Sequence, residues 1–247
     1  MPRVRLASAL LVPEPFAREI EGLRRALGDN LERVPAHLTL VPPVNVRVED
    51  VSSVLAQLRS AAAAASPITV TLGPAATFHP VNPVVYLSVG GDVESVRAIR
   101  NGVFAGPLSR NLEHEFVPHV TIAESTTPAR IDAALIALAD YRVDVTFESV
   151  HLLQEDGRVW RPIADARFEP PLVVGRGGIE TEICASSLAD PEVVEFMGEQ
   201  REEAEHVVVA RRDGRVVAAA CVRDGALLAF VGDADLERQL LKVASAT

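Results

Sequence analysis

An α+β fold assembled from a duplicated β-α-β-α-β unit, with a smaller α/β unit behind it, is what this 247-residue sequence predicts. Three observations carry the prediction. Strand-like and helix-like apolar periodicities alternate in the same order twice, each copy spanning roughly 75 to 85 residues. A His-x-Thr-x tetrapeptide, His37-Leu38-Thr39-Leu40 and then His119-Val120-Thr121-Ile122, stands at an equivalent place in each copy. Pro/Gly punctuation, Glu169-Pro170-Pro171 followed by Gly175-Arg176-Gly177-Gly178, separates the repeat from the rest. The expected domains are therefore 1–171 and 176–247.

In the first copy, residues 6–12 read as a strand. Residues 13–27 read as a helix, with Phe16, Ile20, Leu23 and Leu27 at helical spacing. Residues 36–41 form the motif strand. Residues 48–65 form a helix with Val51, Val54, Leu55 and Leu58 on one face and Asp50 or Ser52 as its cap. Residues 68–78 close the copy as a strand. The second copy repeats the order: strand 84–89, helix 93–108, motif strand 117–123, a helix over 128–139 with Pro128 in its first turn, and strand 141–147. Strands 150–153 and 159–168 follow, joined by a hairpin turn at Asp156-Gly157. The two copies are expected to close into a pseudo-symmetric, two-lobed sheet. The C-terminal unit reads as strand 179–185, helix 191–204, strands 207–211, 216–222 and 227–231 joined by Asp-Gly turns, and helix 236–244.

Composition narrows the function classes. Hydrophobic residues make up 48% and charged residues 23%, as in an ordinary globular protein. Cys184 and Cys221 are the two cysteines, which gives neither a disulfide framework nor a zinc pattern and suits a reducing cytoplasm. No signal peptide or membrane-spanning run is read. A net charge of −10 repels nucleic-acid backbones at long range, so a long nonspecific footprint is not expected. A local pocket can still accept a small phosphorylated ligand or an RNA end.

The motifs point to phosphorus chemistry. In a strand, residues i and i+2 share a face. His37 and Thr39 thus point one way, and Leu38 and Leu40 point into the core; His119 and Thr121 repeat the pattern against Val120 and Ile122. If the copies pack about a pseudo-twofold axis, two imidazoles flank two hydroxyls across a groove. Cleaving a phosphodiester needs one group to deprotonate the attacking oxygen and another to protonate the leaving one, and an imidazole titrates where both are feasible. The threonine hydroxyls can donate to the non-bridging oxygens. Neither a metal nor a cofactor is called for.

On these motifs the chain resembles the two-histidine phosphoesterase superfamily, specifically the bacterial RNA 2′,3′-cyclic phosphodiesterase group, also called 2′-5′ RNA ligase-like. The resemblance spans roughly residues 4–170 and is supported by the connector Phe78-His79-Pro80-Val81-Asn82-Pro83-Val84-Val85-Tyr86-Leu87. It implies a bilobal fold with antiparallel-rich sheets facing a central groove. It also implies hydrolysis of a 2′,3′-cyclic phosphate to a 2′-phosphate, with His119 as base, His37 as acid, and Thr39 and Thr121 on the phosphate. Many members carry a basic residue two positions past the second motif, where this chain has Ala123-Glu124.

Other residues are weighed on chemistry alone. Arg33 and Arg110 each precede a motif strand and are candidate phosphate contacts. His79 and Tyr86 are candidate groove-lining or stacking residues, although a loop histidine and a core tyrosine are the commoner readings. His114, His151 and Trp160 read as a solvated histidine, a strand histidine without a visible partner, and a core aromatic. The C-terminal unit faintly resembles the N-terminal half of the GNAT acetyltransferase fold. Its loop Val231-Gly232-Asp233-Ala234-Asp235-Leu236 puts two acids where coenzyme A phosphates would sit. It is read as an accessory unit that could support homo-oligomers. Two further readings stand beside the enzyme, which would take a small cyclic-phosphate nucleotide or RNA 3′ end. One is a sensor that binds nucleotide without turnover, and the other is a scaffold whose C-terminal unit mediates interaction.

Overall fold

The computed structural model describes residues 1–176 and 179–245. Gly177 and Gly178 of the expected linker, and the last two residues of the expected accessory unit, lie outside the described residues.

The chain runs β1 (Arg3–Leu11), α1 (Phe16–Leu27), β2 (His37–Arg47), α2 (Val51–Ala63), β3 (Ile68–Thr77), β4 (Val85–Gly91), α3 (Val93–Val103), β5 (His119–Ala123), α4 (Pro128–Ala137), β6 (Val143–Phe147), β7 (Ser149–Asp156) and β8 (Val159–Arg167). These eight strands form one antiparallel sheet in the order β6-β3-β4-β5-β2-β1-β7-β8. The expected lobes are its two halves, joined where β2 meets β5 through the pairing of Leu38 with Val120. The motif strands are therefore central and adjacent.

The two copies are interlocked. β1-α1-β2 and β4-α3-β5 are equivalent, but β3, which closes the first copy, pairs with β4 of the second, and β7 pairs with β1 of the first. The helices cross as well, α1 packing on β5 and α3 on β2. A single residue separates β6, at one sheet edge, from β7, next to the other edge. The sheet must curl to allow this, leaving one face concave.

Alternation along the motif strands decides which side chains face the core. Leu38, Leu40, Val120 and Ile122 are at most 1% exposed and join the main core under the helices, with Leu10, Ile20, Leu55, Leu87 and Ile99. Each such burial contributes on the order of 2 kcal/mol. His37, Thr39, His119 and Thr121 are half-buried on the opposite face.

β2 is longer than the expected strand, continuing to Arg47 through Pro42 and Pro43. The register shift there sets the two prolines against Ala7 between the pairs Leu6–Val44 and Ser8–Val41. A bulge is where proline's missing N–H is tolerated in a strand. Asp50 precedes α2 but makes no side-chain cap, contrary to the expectation.

The second sheet begins before the expected boundary at 176. β9 (Leu172–Arg176) follows the first Pro/Gly run, takes in the first two residues of the second, and pairs with β10 (Ile179–Ser186). After α5 (Pro191–Met197), shorter than expected because Gly198 turns the chain at φ +56°, come β11 (His206–Arg212), β12 (Arg215–Arg223), β13 (Ala226–Gly232) and α6 (Glu237–Ala244). The sheet order is β13-β12-β11-β10-β9. Its seam with the first sheet is ionic. Asp190, fully buried, accepts from Arg59 of α2 at 2.7 Å, from the Ser186 hydroxyl at 3.2 Å and from the Glu192 amide at 2.9 Å. Arg211 pairs with the same carboxylate at 3.5 Å.

Candidate active site

The antiparallel pairing of Leu38 with Val120 sets the site's geometry. One residue to either side, His37 stands opposite Thr121 and Thr39 opposite His119. The two hydroxyls and two imidazoles form a checkerboard on the concave face. Diagonal neighbours in such a pair stand about 7–8 Å apart.

Both imidazoles are oriented by the same device. His37 Nδ1 lies 2.8 Å from the carbonyl oxygen of Pro35, and His119 Nδ1 lies 2.7 Å from that of Val117, each two residues upstream. A carbonyl can only accept, so Nδ1 carries the hydrogen and the lone pair of each neutral ring sits on Nε2. Burial holds both rings toward the neutral form. At His37, desolvation, aided by Arg24, His119 and Arg33, outweighs the Pro35 bond and lowers the pKa to about 4. At His119, desolvation lowers it against the Val117 bond.

The walls differ. Beside His119, Phe78 and Tyr86 stack with ring centroids 4.3 Å apart, and each lies 5.1 Å from the imidazole. Tyr86 reaches this place because β4 pairs it with Thr121. Beside His37, β1 supplies the smaller Leu11, and Ala9 stands opposite Thr39. Ala9, Leu153 and Trp160 form a small apolar cluster there.

The other candidates separate. Arg33 is exposed and ion-paired to Glu124 across the two lobes. Arg110 lines a cavity with Thr39 and His119. His79 is exposed in the turn after β3, its amide bonded to the Thr77 hydroxyl at 3.0 Å. His114 lines the same cavity as Arg110.

Three contributions were not read from the sequence. Arg24, 4% exposed, donates to Asp29 and to the Val34 carbonyl, each at 2.8 Å. Asp29 in turn accepts from the Glu124 amide at 3.3 Å, tying the approach of one motif strand to the exit of the other. A signal existed: Arg24 lies four residues after Ile20, inside the apolar stripe of α1, where a cation needs a partner. Arg100 lines the cavity shared with Arg110 and shows no comparable signal. His151 stands opposite Ala9, two strands from Thr39 on the concave face, and burial lowers its pKa to about 4.

Comparison with known proteins gives a consistent result. The sequence model of the 2′-5′ RNA ligase superfamily matches residues 12–159. A Bacillus pumilus protein named "Putative phosphoesterase" is 33% identical over 149 residues, 59% of this chain and 86% of the relative. A similarly named Bacillus cytotoxicus protein is 30% identical over 142 residues, 56% of this chain and 82% of that one. Among solved structures, the TT0787 protein of Thermus thermophilus superposes with a TM-score of 0.50 at 19% identity, covering 66% of this chain and 97% of that one.

Proposed function

This chain belongs to the 2′-5′ RNA ligase superfamily, and from that premise we propose that it opens 2′,3′-cyclic phosphates to 2′-phosphates by paired-histidine acid–base catalysis. The observation that supports the reading is the Leu38–Val120 pairing, whose register puts His37, Thr39, His119 and Thr121 side by side on one face of the sheet. One neutral imidazole takes a proton from water as the water oxygen attacks phosphorus. The other, protonated, delivers its proton to the departing 3′ oxygen. Thr39 and Thr121 donate to the non-bridging oxygens as charge builds there. Bound phosphate monoanion raises both imidazole pKa values from their depressed levels, which supplies the protonated partner.

The resemblance allots the base to His119 and the acid to His37. Burial lowers the pKa of both imidazoles, to about 4 at His37. An aryl phosphodiester separates the two, since its leaving group needs no proton: the alanine variant lacking the acid recovers turnover on it, and the variant lacking the base does not.

The decisive experiment incubates the full chain with adenosine 2′,3′-cyclic phosphate in the presence of chelator and reads product position by phosphorus NMR. A 2′-phosphate with a bell-shaped pH–rate profile is expected. Saturable binding in calorimetry with no product on prolonged incubation would replace the enzyme by a nucleotide sensor.

A further inference from the structure

A separate cavity lies at the seam between the two sheets and shares no lining residue with the cavity beside His119. Its volume is about 400 Å³, which is of ligand-binding size. Arg59 and Ala63 of α2, Asp165 of β8, Cys184 of β10 and Arg211 of β11 line it.

Two of these groups carry a charge that the protein answers poorly. Arg211 is 3% exposed. The short contacts at the seam belong to Arg59, which reaches Asp190 at 2.7 Å and Glu192 at 2.9 Å. Arg211 is left with long ones: Asp190 and Glu192 at 3.5 Å each, and the Cys184 sulfur at 3.7 Å. Its Nε makes no hydrogen bond. A well-formed contact between an arginine N–H and a carboxylate is about 2.7–2.9 Å long, so this guanidinium keeps donor capacity unused. Burial and the charge of Arg59 lower its pKa.

Asp165 is the opposite case. It is half-buried and forms no ion pair among the described residues; Arg167, two residues on, pairs with Glu148 and Glu169 instead. Burial and the charge of Asp190 raise its pKa, which Arg167 and the Ser187 side chain offset only in part. Asp165 and Arg211 thus line one space without coming within ion-pairing distance of each other. Each is costly in that state unless a group of opposite charge completes it.

We propose that this cavity binds a free aliphatic amino acid, with its carboxylate on Arg211 and its ammonium on Asp165. A zwitterion answers both charges at once, whereas a simple anion leaves Asp165 unanswered and a simple cation leaves Arg211. Ala56, Ala63, Ala166 and Ala185 make part of the wall small and apolar, which suits an aliphatic side chain. The proposal is independent of the chemistry at the two histidines.

The test titrates the full chain with L-alanine, L-valine and L-leucine by calorimetry. At least one of them saturates a single site. Isovalerate and isobutylamine, which are valine without its ammonium and valine without its carboxylate, bind at least about tenfold more weakly, the scale of one charge-assisted hydrogen bond. Asp165→Asn, which keeps the shape and an acceptor oxygen for Ser187, weakens binding about tenfold. Ala63→Leu, which fills the cavity from a half-buried position on α2, abolishes it. No binding of any of the three amino acids at millimolar concentration overturns the proposal. So does equal binding of either single-charge analogue, or binding that neither variant changes. If a variant no longer melts cooperatively, the comparison of valine with its two analogues on the unaltered chain still decides.

Discussion

His37 and His119 enter the groove from equivalent strands with the same Nδ1-to-carbonyl bond, yet the segments that deliver them are held differently. Ahead of His37, the 28–36 segment is fixed by Arg24 on the Val34 carbonyl, by the Trp160 amide on the Arg33 carbonyl at 2.7 Å, and by Asp29 on the Glu124 amide. Ahead of His119, residues 110–118 make no hydrogen bond to another element among the described residues; their one internal anchor is the Val117 carbonyl on His119 itself. The difference teaches that the repeat supplies two matching imidazoles, while the surroundings divide the labour. One side is cross-linked by hydrogen bonds, and the other is held by Phe116, which packs against the core and under Arg97 and Arg100.

The equivalence of the imidazoles is tested by the largest expected effect. His37→Ala and His119→Ala should each lower kcat/KM about 10³-fold or more while circular dichroism stays unchanged. A variant that keeps activity within tenfold would break the pairing.

The contrast between the two approaches is sharpened by stability. Arg24→Met leaves Asp29 buried without its cation and should cost about 3–5 kcal/mol in urea unfolding. Arg110→Met, at an exposed position with no ion pair among the described residues, should cost no more than about 0.5 kcal/mol. Equal costs would mean that the two segments are held alike.

Acid separates the sides more gently. His37 and His151 titrate near 4 in the folded chain, against 6.5 as unperturbed groups. Between those values the unfolded chain binds more protons, so stability is full above about pH 6.5 and falls as pH drops toward 4. His151→Gln should flatten that slope in thermal melts recorded across this range. An unchanged slope would place the acid lability elsewhere. The smallest effect is kinetic: amides of residues 110–118 should exchange with deuterium well before those of residues 30–36, and a bound nucleotide should slow the first group selectively. Uniform exchange would mean that the missing hydrogen bonds do not loosen the second segment.

Much of this was readable in residues alone. The order of elements, the two motif strands and their polar faces follow from period-2 and period-3.6 patterns that local sterics impose. The strand over 172–176 was obscured by the glycines and prolines around it, and the run of β2 through Pro42-Pro43 needed a bulge that only β1 could supply. Arg33 and Arg110 each precede a motif, and the sequence does not tell them apart. Glu124, far away in sequence, neutralises one, and no acid among the described residues neutralises the other.

The sequence by itself determined that each copy carries an imidazole and a hydroxyl on one face of a strand, because side-chain alternation is a property of the backbone. Only the tertiary structure decided that the two faces are the same face. That depends on a single antiparallel register, Leu38 against Val120, which a shift of one residue would destroy. It is set by the interlocked strands and crossing helices rather than by either tetrapeptide.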